Sequence, residues 1–162
     1  MKKRLVIYTI IAIIIIFLMI FFNKRNSLNR RFNITIPKSA EIIEFQRSFK
    51  FIDGREIAAK ITIPQNDYNG FLNNISKKYK QYELKDCDVD HLGEISIPNT
   101  DGPISFSACH LTWWDLEVER ISKIYYEEQW FGSIRRCPYN KEIYVVENSE
   151  LVTIYLYCDF LL

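Results

Sequence analysis

The sequence predicts an α+β fold: one small antiparallel β-sheet with a helix packed on it, preceded by a single N-terminal transmembrane helix. Three patterns predict it. An uncharged apolar run occupies residues 5–22, and apolar and polar residues alternate with a period of two at 41–63 and at about 120–160. Between the two alternating stretches, residues 65–79 carry apolar side chains at helical spacing. Strands, one helix and then a run of strands are typical of α+β domains.

The apolar run from Leu5 to Phe22 contains 18 residues without a charge. A helix of that length spans about 27 Å, close to the thickness of a hydrocarbon core. The apolar part of a signal peptide is shorter, about 7–15 residues, and ends at small residues. This run ends in phenylalanines, and the first cysteine is Cys87, far from the border where a lipoprotein needs one. We therefore expect residues 5–22 to be an uncleaved anchor.

The flanks of the anchor bear on its orientation. Residues 1–4 form a basic tail, and residues 23–33 form a polar, basic tether. Three basic residues precede the run and four follow it: Lys2, Lys3, Arg4, Lys24, Arg25, Arg30 and Arg31. The bias for positive charge on the cytoplasmic side is nearly balanced. We expect a single-pass protein of the cell membrane whose short tail stays in the cytoplasm and whose domain is extracytoplasmic, although the four later charges favour the reverse.

The remaining residues, 34–162, are long enough for one domain and contain no low-complexity linker. They hold 14 Lys/Arg against 20 Asp/Glu, a formal charge of −6. A nucleic-acid-binding domain needs a basic face to contact phosphates. The composition therefore excludes nucleic acid as the expected partner, and it leaves the membrane and a protein or cell-envelope component.

The first predicted hairpin covers residues 41–63. A loop at 52–54 places glycine at its left-handed third position and matches the apolar faces of the two strands. In that register Phe45 stands opposite Ile61. Arg47 falls in the same apolar row, where its aliphatic stem covers the surface and its head reaches the edge.

The predicted helix at 65–79 follows Pro64, which is tolerated at a helix start because the missing N–H has no intrahelical partner there. Gly70 lowers its stability by about 1 kcal/mol relative to alanine. Its apolar residues at helical spacing are Tyr68, Phe71, Leu72, Ile75 and Tyr79.

The C-terminal part, about 120–160, predicts a β-meander of consecutive hairpins. A turn at 131–132 sets Glu127 opposite Arg136, a favourable cross-strand pair. A second turn at 148–149 joins two strands that are apolar or aromatic on both faces. Strands buried on both faces belong in the middle of a sheet, so we expect the last hairpin to be central.

Four cysteines lie in the domain: Cys87, Cys109, Cys137 and Cys158. They fit two disulfides if the domain is in an oxidising compartment and four thiols if it faces the cytoplasm. The spacings contain no close pair, which argues against structural zinc. The predicted register of the last hairpin sets Cys158 opposite Tyr139 and near Cys137, so we favour Cys137–Cys158 with Cys87–Cys109.

An acidic stretch places Asp86, Asp88 and Asp90 at alternate positions, as in calcium loops. A loop of the EF-hand type needs glycine at its sixth position and glutamate at its twelfth. Here those positions are His91 and Ile97. We therefore predict a solvated loop with no metal and no cofactor, and keep a weak cation site as the alternative.

Trp113, Trp114 and Asp115 are the candidate binding residues. Neighbouring side chains on an extended segment point to opposite sides, so we expect one tryptophan in the core and the other at the surface. Exposed aromatic rings favour sugars or protein partners. The alternative places the second ring under a loop or at the level of the lipid head groups.

The function predicted from these patterns is binding rather than catalysis. No group of residues combines an acid, a base and a nucleophile, and Cys109 and His110 are neighbours whose side chains point apart on a strand. We expect a membrane-anchored bacterial interaction module. The alternative is a cytoplasm-facing immunity or inhibitor-type protein that meets a basic partner, and a hydrolase that uses a divalent cation at 86–90 is the third hypothesis.

Overall fold

The computed structural model describes residues 8, 10–11, 23–50, 54–89, 95–96, 103–104, 111–129 and 139–160. The chain divides into two compact units, residues 1–36 and residues 37–162. The whole β-sheet belongs to the second unit.

In the first unit the predicted tether contains helix α1, Lys24–Phe32. Its two ends are capped by asparagines. The side chain of Asn23 accepts a hydrogen bond from the backbone N–H of Asn26 at 3.1 Å. At the other end Asn33 adopts a left-handed conformation, φ 50°, and its N–H donates to the carbonyl of Asn29. Both are favoured capping arrangements, so this polar segment forms a helix.

The predicted anchor lies almost wholly outside the described residues. Of residues 5–22, only Tyr8, Ile10 and Ile11 are described, and they are helical and exposed. Within the part of the chain that the structure describes, no helix has both the length and the apolar character to cross a membrane. The anchor at 5–22 stays a prediction.

The second unit is built on a six-stranded antiparallel sheet in the order β1-β2-β9-β8-β7-β3. Its strands are β1 Glu41–Lys50, β2 Gly54–Pro64, β3 Lys80–Tyr82, β7 Lys123–Gln129, β8 Tyr139–Glu147 and β9 Leu151–Phe160. Three short strands form a second sheet: β4 Asp88–Val89, β5 Ile95–Ser96 and β6 Pro103–Ile104. The predicted α+β class is confirmed. So is the central place of the last hairpin, because β8 and β9 are the two middle strands.

Helix α2, Gln65–Ser76, covers one face of the large sheet and contacts β2 and β9. Its buried residues are Tyr68, Phe71 and Ile75. The helix ends three residues before the predicted boundary, because the chain turns at 77–79. We call the sheet face under α2 the helix face. It carries the buried side chains Ala59, Ile61, Ile143, Ile154 and Leu156.

The predicted register of the first hairpin is wrong by two residues. Phe45 stands opposite Ala59 rather than Ile61, and Arg47 stands opposite Ile57. A shift of two residues keeps the side chains from Glu44 onward on their predicted faces, since the side-chain period of a strand is two. Before Ile43, where the pairing shifts by one residue, Glu41 and Ile42 lie on the faces opposite to those that alternation predicts. The predicted loop at 52–54 lies mostly outside the described residues, because the structure describes the chain again from Gly54.

The predicted pair of Glu127 with Arg136 is also wrong. Glu127 stands opposite Lys141, and the Nζ of Lys141 lies 2.7 Å from the Oε2 of Glu127. Strands β7 and β8 are therefore joined by a longer connection than a turn at 131–132, and that connection lies outside the described residues. Glu127 still pairs with a basic residue across these strands, but that residue is buried Lys141 rather than Arg136.

In the last hairpin the structure pairs Glu147 with Val152 and Cys158 with Lys141. The predicted register set Cys158 opposite Tyr139 and is wrong by two residues. A tight turn at 148–149 is replaced by a wider connection, with exposed residues from 147 to 151. The side chains of this hairpin lie on their predicted faces, because the shift is of two residues.

Candidate functional site

The second face of the sheet is lined by aromatic side chains, and we call it the aromatic face. The strand register sets Ile124, Tyr144, Tyr155 and Lys60 in one row across β7, β8, β9 and β2. In the next row Tyr157 stands beside small Ala58. This face supports the three residues that the sequence singles out.

Residues 111–114 form a turn, in which the N–H of Trp114 donates to the carbonyl of Leu111 at 3.0 Å. The rings of Trp113 and Trp114 therefore lie on the same side, with centroids 5.7 Å apart. Both are half-buried and pack against Leu111, Ala58 and Tyr157. The expectation that the rings point apart is wrong, because it assumed an extended segment.

Of the two tryptophan rings, that of Trp114 packs more deeply against the aromatic face. Its ring meets Tyr155, Tyr157 and Tyr144 edge-on, at centroid distances of 5.1, 6.2 and 6.4 Å. Its indole Nε1 is buried and has no hydrogen-bond partner among the residues that the structure describes. The described contacts that hold this ring are therefore its packing contacts with the three tyrosines. Trp114 thus closes the aromatic face.

Asp115 ties the turn to two strands. Its carboxylate accepts hydrogen bonds from Lys60 Nζ at 2.7 and 2.8 Å and from Tyr155 OH at 2.7 Å. Partial burial by itself raises the pKa of Asp115, but these hydrogen bonds outweigh it and hold that pKa below its ordinary value. Burial and the bond to Asp115 raise the pKa of Tyr155, which keeps its proton. The side chain of Asp115 is nevertheless 63% exposed.

Trp113 connects this cluster to strand β1. Its Nε1 lies 3.4 Å from Gln46 Oε1, at the long end of the hydrogen-bond range. The half-buried ring therefore lies beside β1. Of the three predicted residues, Trp114 and Asp115 hold the turn on the sheet, and Trp113 is placed at the border of the exposed strand.

Strand β1 is the feature that sequence reasoning missed as a site. It is the end strand of the large sheet, and every side chain described in it, from Glu41 to Ser48, is at least partly exposed. Its pairing with β2 is interrupted between Ile42 and Glu44 by a bulge. Ile43, the extra residue, is 43% exposed. The alternation of the sequence predicted a half-buried strand, but alternation alone does not tell which strand is at the edge.

The acidic stretch is divided between two elements. Asp86 ends a 3₁₀ turn, Leu84–Asp86, and Asp88 begins β4; both are exposed. Asp90 and His91 lie outside the described residues. Across the described ranges, no group of three or more His, Cys, Asp or Glu residues could hold a metal ion.

Two of the four cysteines are described. Cys87 is a half-buried thiol that donates to the carbonyl of Glu83 at 3.5 Å. Burial raises the pKa of this thiol, and nearby Asp86 adds to the effect. Cys158 is buried on the helix face. Cys109 and Cys137 lie outside the described residues, so both predicted disulfides stay predictions.

Comparison of the chain with protein-family models, curated proteins and solved structures finds no match. The function is therefore argued from the geometry of β1 and of the turn at 111–115.

Proposed function

We propose that this chain is a membrane-anchored interaction module that binds a protein or cell-envelope partner through one edge of its sheet. The predicted anchor at 5–22 holds it in the membrane, with the domain on the extracytoplasmic side. The binding element is the β1 surface, which we define as strand β1 together with the ring of Trp113. The observation that carries the proposal is that a ten-residue strand forms the edge of the sheet.

The two edges of the sheet differ in a way that supports this assignment. An edge strand presents unpaired backbone N–H and C=O groups, and proteins keep such edges short or covered. The far edge, β3, is three residues long. In the described ranges no strand pairs with the outer side of β1. A long edge of this kind is suited to a partner.

The side chains of β1 add polar and apolar contacts. Glu41 and Glu44 are exposed, and exposed Ile43 lies between them. Trp113 supplies an aromatic ring beside Gln46, and aromatic residues are enriched in protein interfaces. Two exposed carboxylates on one face of the strand, with an apolar residue and a ring beside them, fit a basic partner.

The same surface also suits the alternative, a cytoplasm-facing immunity or inhibitor-type protein. Exposed Glu41 and Glu44 would meet a basic partner on either side of the membrane. The side of the membrane on which the domain lies separates the two hypotheses.

Site-specific photocrosslinking in living cells tests the proposal. A photoreactive amino acid is placed at Ile43, and in a second strain at Leu151. Leu151 is the matched control, because it is 46% exposed and lies in the same unit but at the start of β9, away from β1. We expect crosslinks to a defined partner from position 43 only.

Two further variants sharpen that experiment. Trp113→Ala removes the ring beside β1 and should reduce crosslinking from position 43. Glu119→Ala, at an exposed position outside the surface, should leave it unchanged. Equal crosslinking from positions 43 and 151, or none from position 43 in any growth condition, would contradict the β1 surface as the binding element.

A further inference from the structure

We propose that the partner contributes an extended basic segment that joins the sheet as an additional strand, antiparallel to β1. This inference rests on the proposed function and specifies its mode of binding. All pairings in the large sheet are antiparallel. Strand addition to an exposed edge gains affinity from main-chain hydrogen bonds and specificity from alternate side chains.

The bulge in β1 explains why the segment is basic. Residues three apart on a regular strand point to opposite faces. Here Glu41 stands opposite Thr62 and Glu44 opposite Lys60, so the extra residue Ile43 brings both carboxylates to the aromatic face. A bulge usually protects an edge, but this one also places two exposed carboxylates side by side.

An incoming antiparallel strand would meet these carboxylates directly. Directly opposite residues in an antiparallel pair share a face, with Cβ atoms about 4.5–5.5 Å apart. A lysine or arginine opposite Glu44 would therefore lie on the aromatic face, where Trp113 donates to neighbouring Gln46. The pairing runs from Glu44 to Lys50, the part of β1 on the C-terminal side of the bulge.

A second copy of the chain fits this edge less well than a foreign segment. If two copies paired their β1 strands about a two-fold axis, the aromatic faces of both sheets would lie on the same side. Directly opposite residues share a face, and Glu44 and Arg47 lie on different faces, so these two residues could not stand opposite each other. The register that sets Glu44 opposite Lys50 sets Arg47 opposite its own copy. Like charges directly opposite are destabilising. The charges of β1 thus favour a partner with a different sequence.

Peptide binding to the full chain in lipid nanodiscs tests the inference. The probes are two synthetic peptides of about ten residues with alternating valine and threonine. One carries lysine at the position opposite Glu44, and the other carries glutamate there. We expect the lysine peptide to bind about 3–10-fold more tightly, from the usual size of cross-strand charge pairs. Isotope-edited infrared spectra of the bound peptide should show β-sheet pairing.

Charge reversal supplies the control. Glu44→Lys should invert the preference between the two peptides. Glu150→Lys makes the same charge change at an exposed position outside β1 and should leave the preference unchanged. Equal effects of the two variants, or binding without the sheet signal, would overturn strand addition. Crosslinking from Ile43 that persists in that case would leave the proposed function standing, with another mode of binding.

Discussion

At the scale of single residues, Asp115 has the most connected side chain of the candidate site. It accepts hydrogen bonds from Lys60 and Tyr155, which belong to different strands. Asp115→Asn should lower the free energy of unfolding by about 1 kcal/mol, the upper end for a partly exposed ion pair. Urea unfolding of the solubilised chain, followed by tryptophan fluorescence, measures it.

The matched control for Asp115 is Glu117→Gln. Glu117 is exposed, and its ion pair with Arg120, three residues later, is loose, with 3.7 Å between the charged atoms. Its replacement should change stability by no more than a few tenths of a kcal/mol. An equal loss in the two variants would show that Asp115 does not hold the turn on the sheet.

Glu147 predicts a specific acid dependence. Hydrogen bonds from Lys123 and Tyr68 hold its pKa below the ordinary value of 4.5. Because the folded pKa is lower than the unfolded one, this stabilisation is present above about pH 4.5 and is lost as pH falls through the folded value. Glu147→Gln should therefore flatten the fall of stability between about pH 5 and pH 3, measured by urea unfolding at each pH. Glu150→Gln replaces an exposed carboxylate in the connection between β8 and β9, and it should leave the dependence of stability on pH unchanged.

The candidate residues could be found from sequence, but their roles could not. Adjacent tryptophans followed by an aspartate are rare enough to notice. The turn that brings both rings together is set by a backbone hydrogen bond to Leu111. The acceptor role of Asp115 depends on Lys60 and Tyr155, which are distant in sequence. Composition and spacing contain no signal for such contacts.

At the scale of elements, alternation predicted the faces of the last hairpin, and those of the first hairpin from Glu44 onward, and it missed both registers by two residues. A two-residue slip costs nothing in the match of apolar faces. The register is fixed instead by the connections and by the bulge at Ile43. Helix α1 was missed for another reason. Its sequence is mostly polar and shows no clear apolar period, so the asparagines at 23 and 33 were not recognised as helix caps.

Helix α2 offers a stabilising substitution. Gly70 is exposed in the middle of the helix, and a Cβ added there meets nothing within 4 Å. Gly70→Ala should raise the free energy of unfolding by about 0.5–1 kcal/mol, because alanine loses less backbone entropy in a helix. Thermal or urea unfolding of the full chain measures it.

Phe71→Ala is the contrast for Gly70→Ala in the same helix. Phe71 is 1% exposed, and its truncation should cost about 3–5 kcal/mol through lost burial and the cavity left behind. A stability unaffected by either change would mean that α2 is not docked on the sheet as described.

At the scale of the whole molecule, strand order was the part that sequence could not supply. The last strand, β9, inserts between β2 and β8, and short β3 pairs with β7. These are contacts between residues far apart in the chain, so the local periodicity of the sequence does not predict them. The prediction of a central last hairpin succeeded because burial on both faces is a local signal of a global position.

The last prediction concerns the side of the membrane on which the second unit lies. If residues 5–22 are an anchor with the basic tail inside, a reporter cysteine at exposed Ser149 should react with a membrane-impermeant thiol reagent in intact cells. The reporter is needed because Cys158 is buried and burial raises the pKa of Cys87, so neither of the two described thiols reports sidedness quickly.

The same orientation has a consequence for the four native cysteines. Outside the cytoplasm they can form the predicted pairs Cys137–Cys158 and Cys87–Cys109, each closing a loop of about 20 residues worth about 3 kcal/mol. That is a large share of the stability of a small domain, so reduction should lower the unfolding temperature of an extracytoplasmic domain. Labelling of the reporter only after lysis, with a stability insensitive to reductant, would place the domain in the cytoplasm. The exposed carboxylates of Glu41 and Glu44 on the β1 surface would then favour the immunity or inhibitor-type alternative, since a guarded basic partner would have to meet them there.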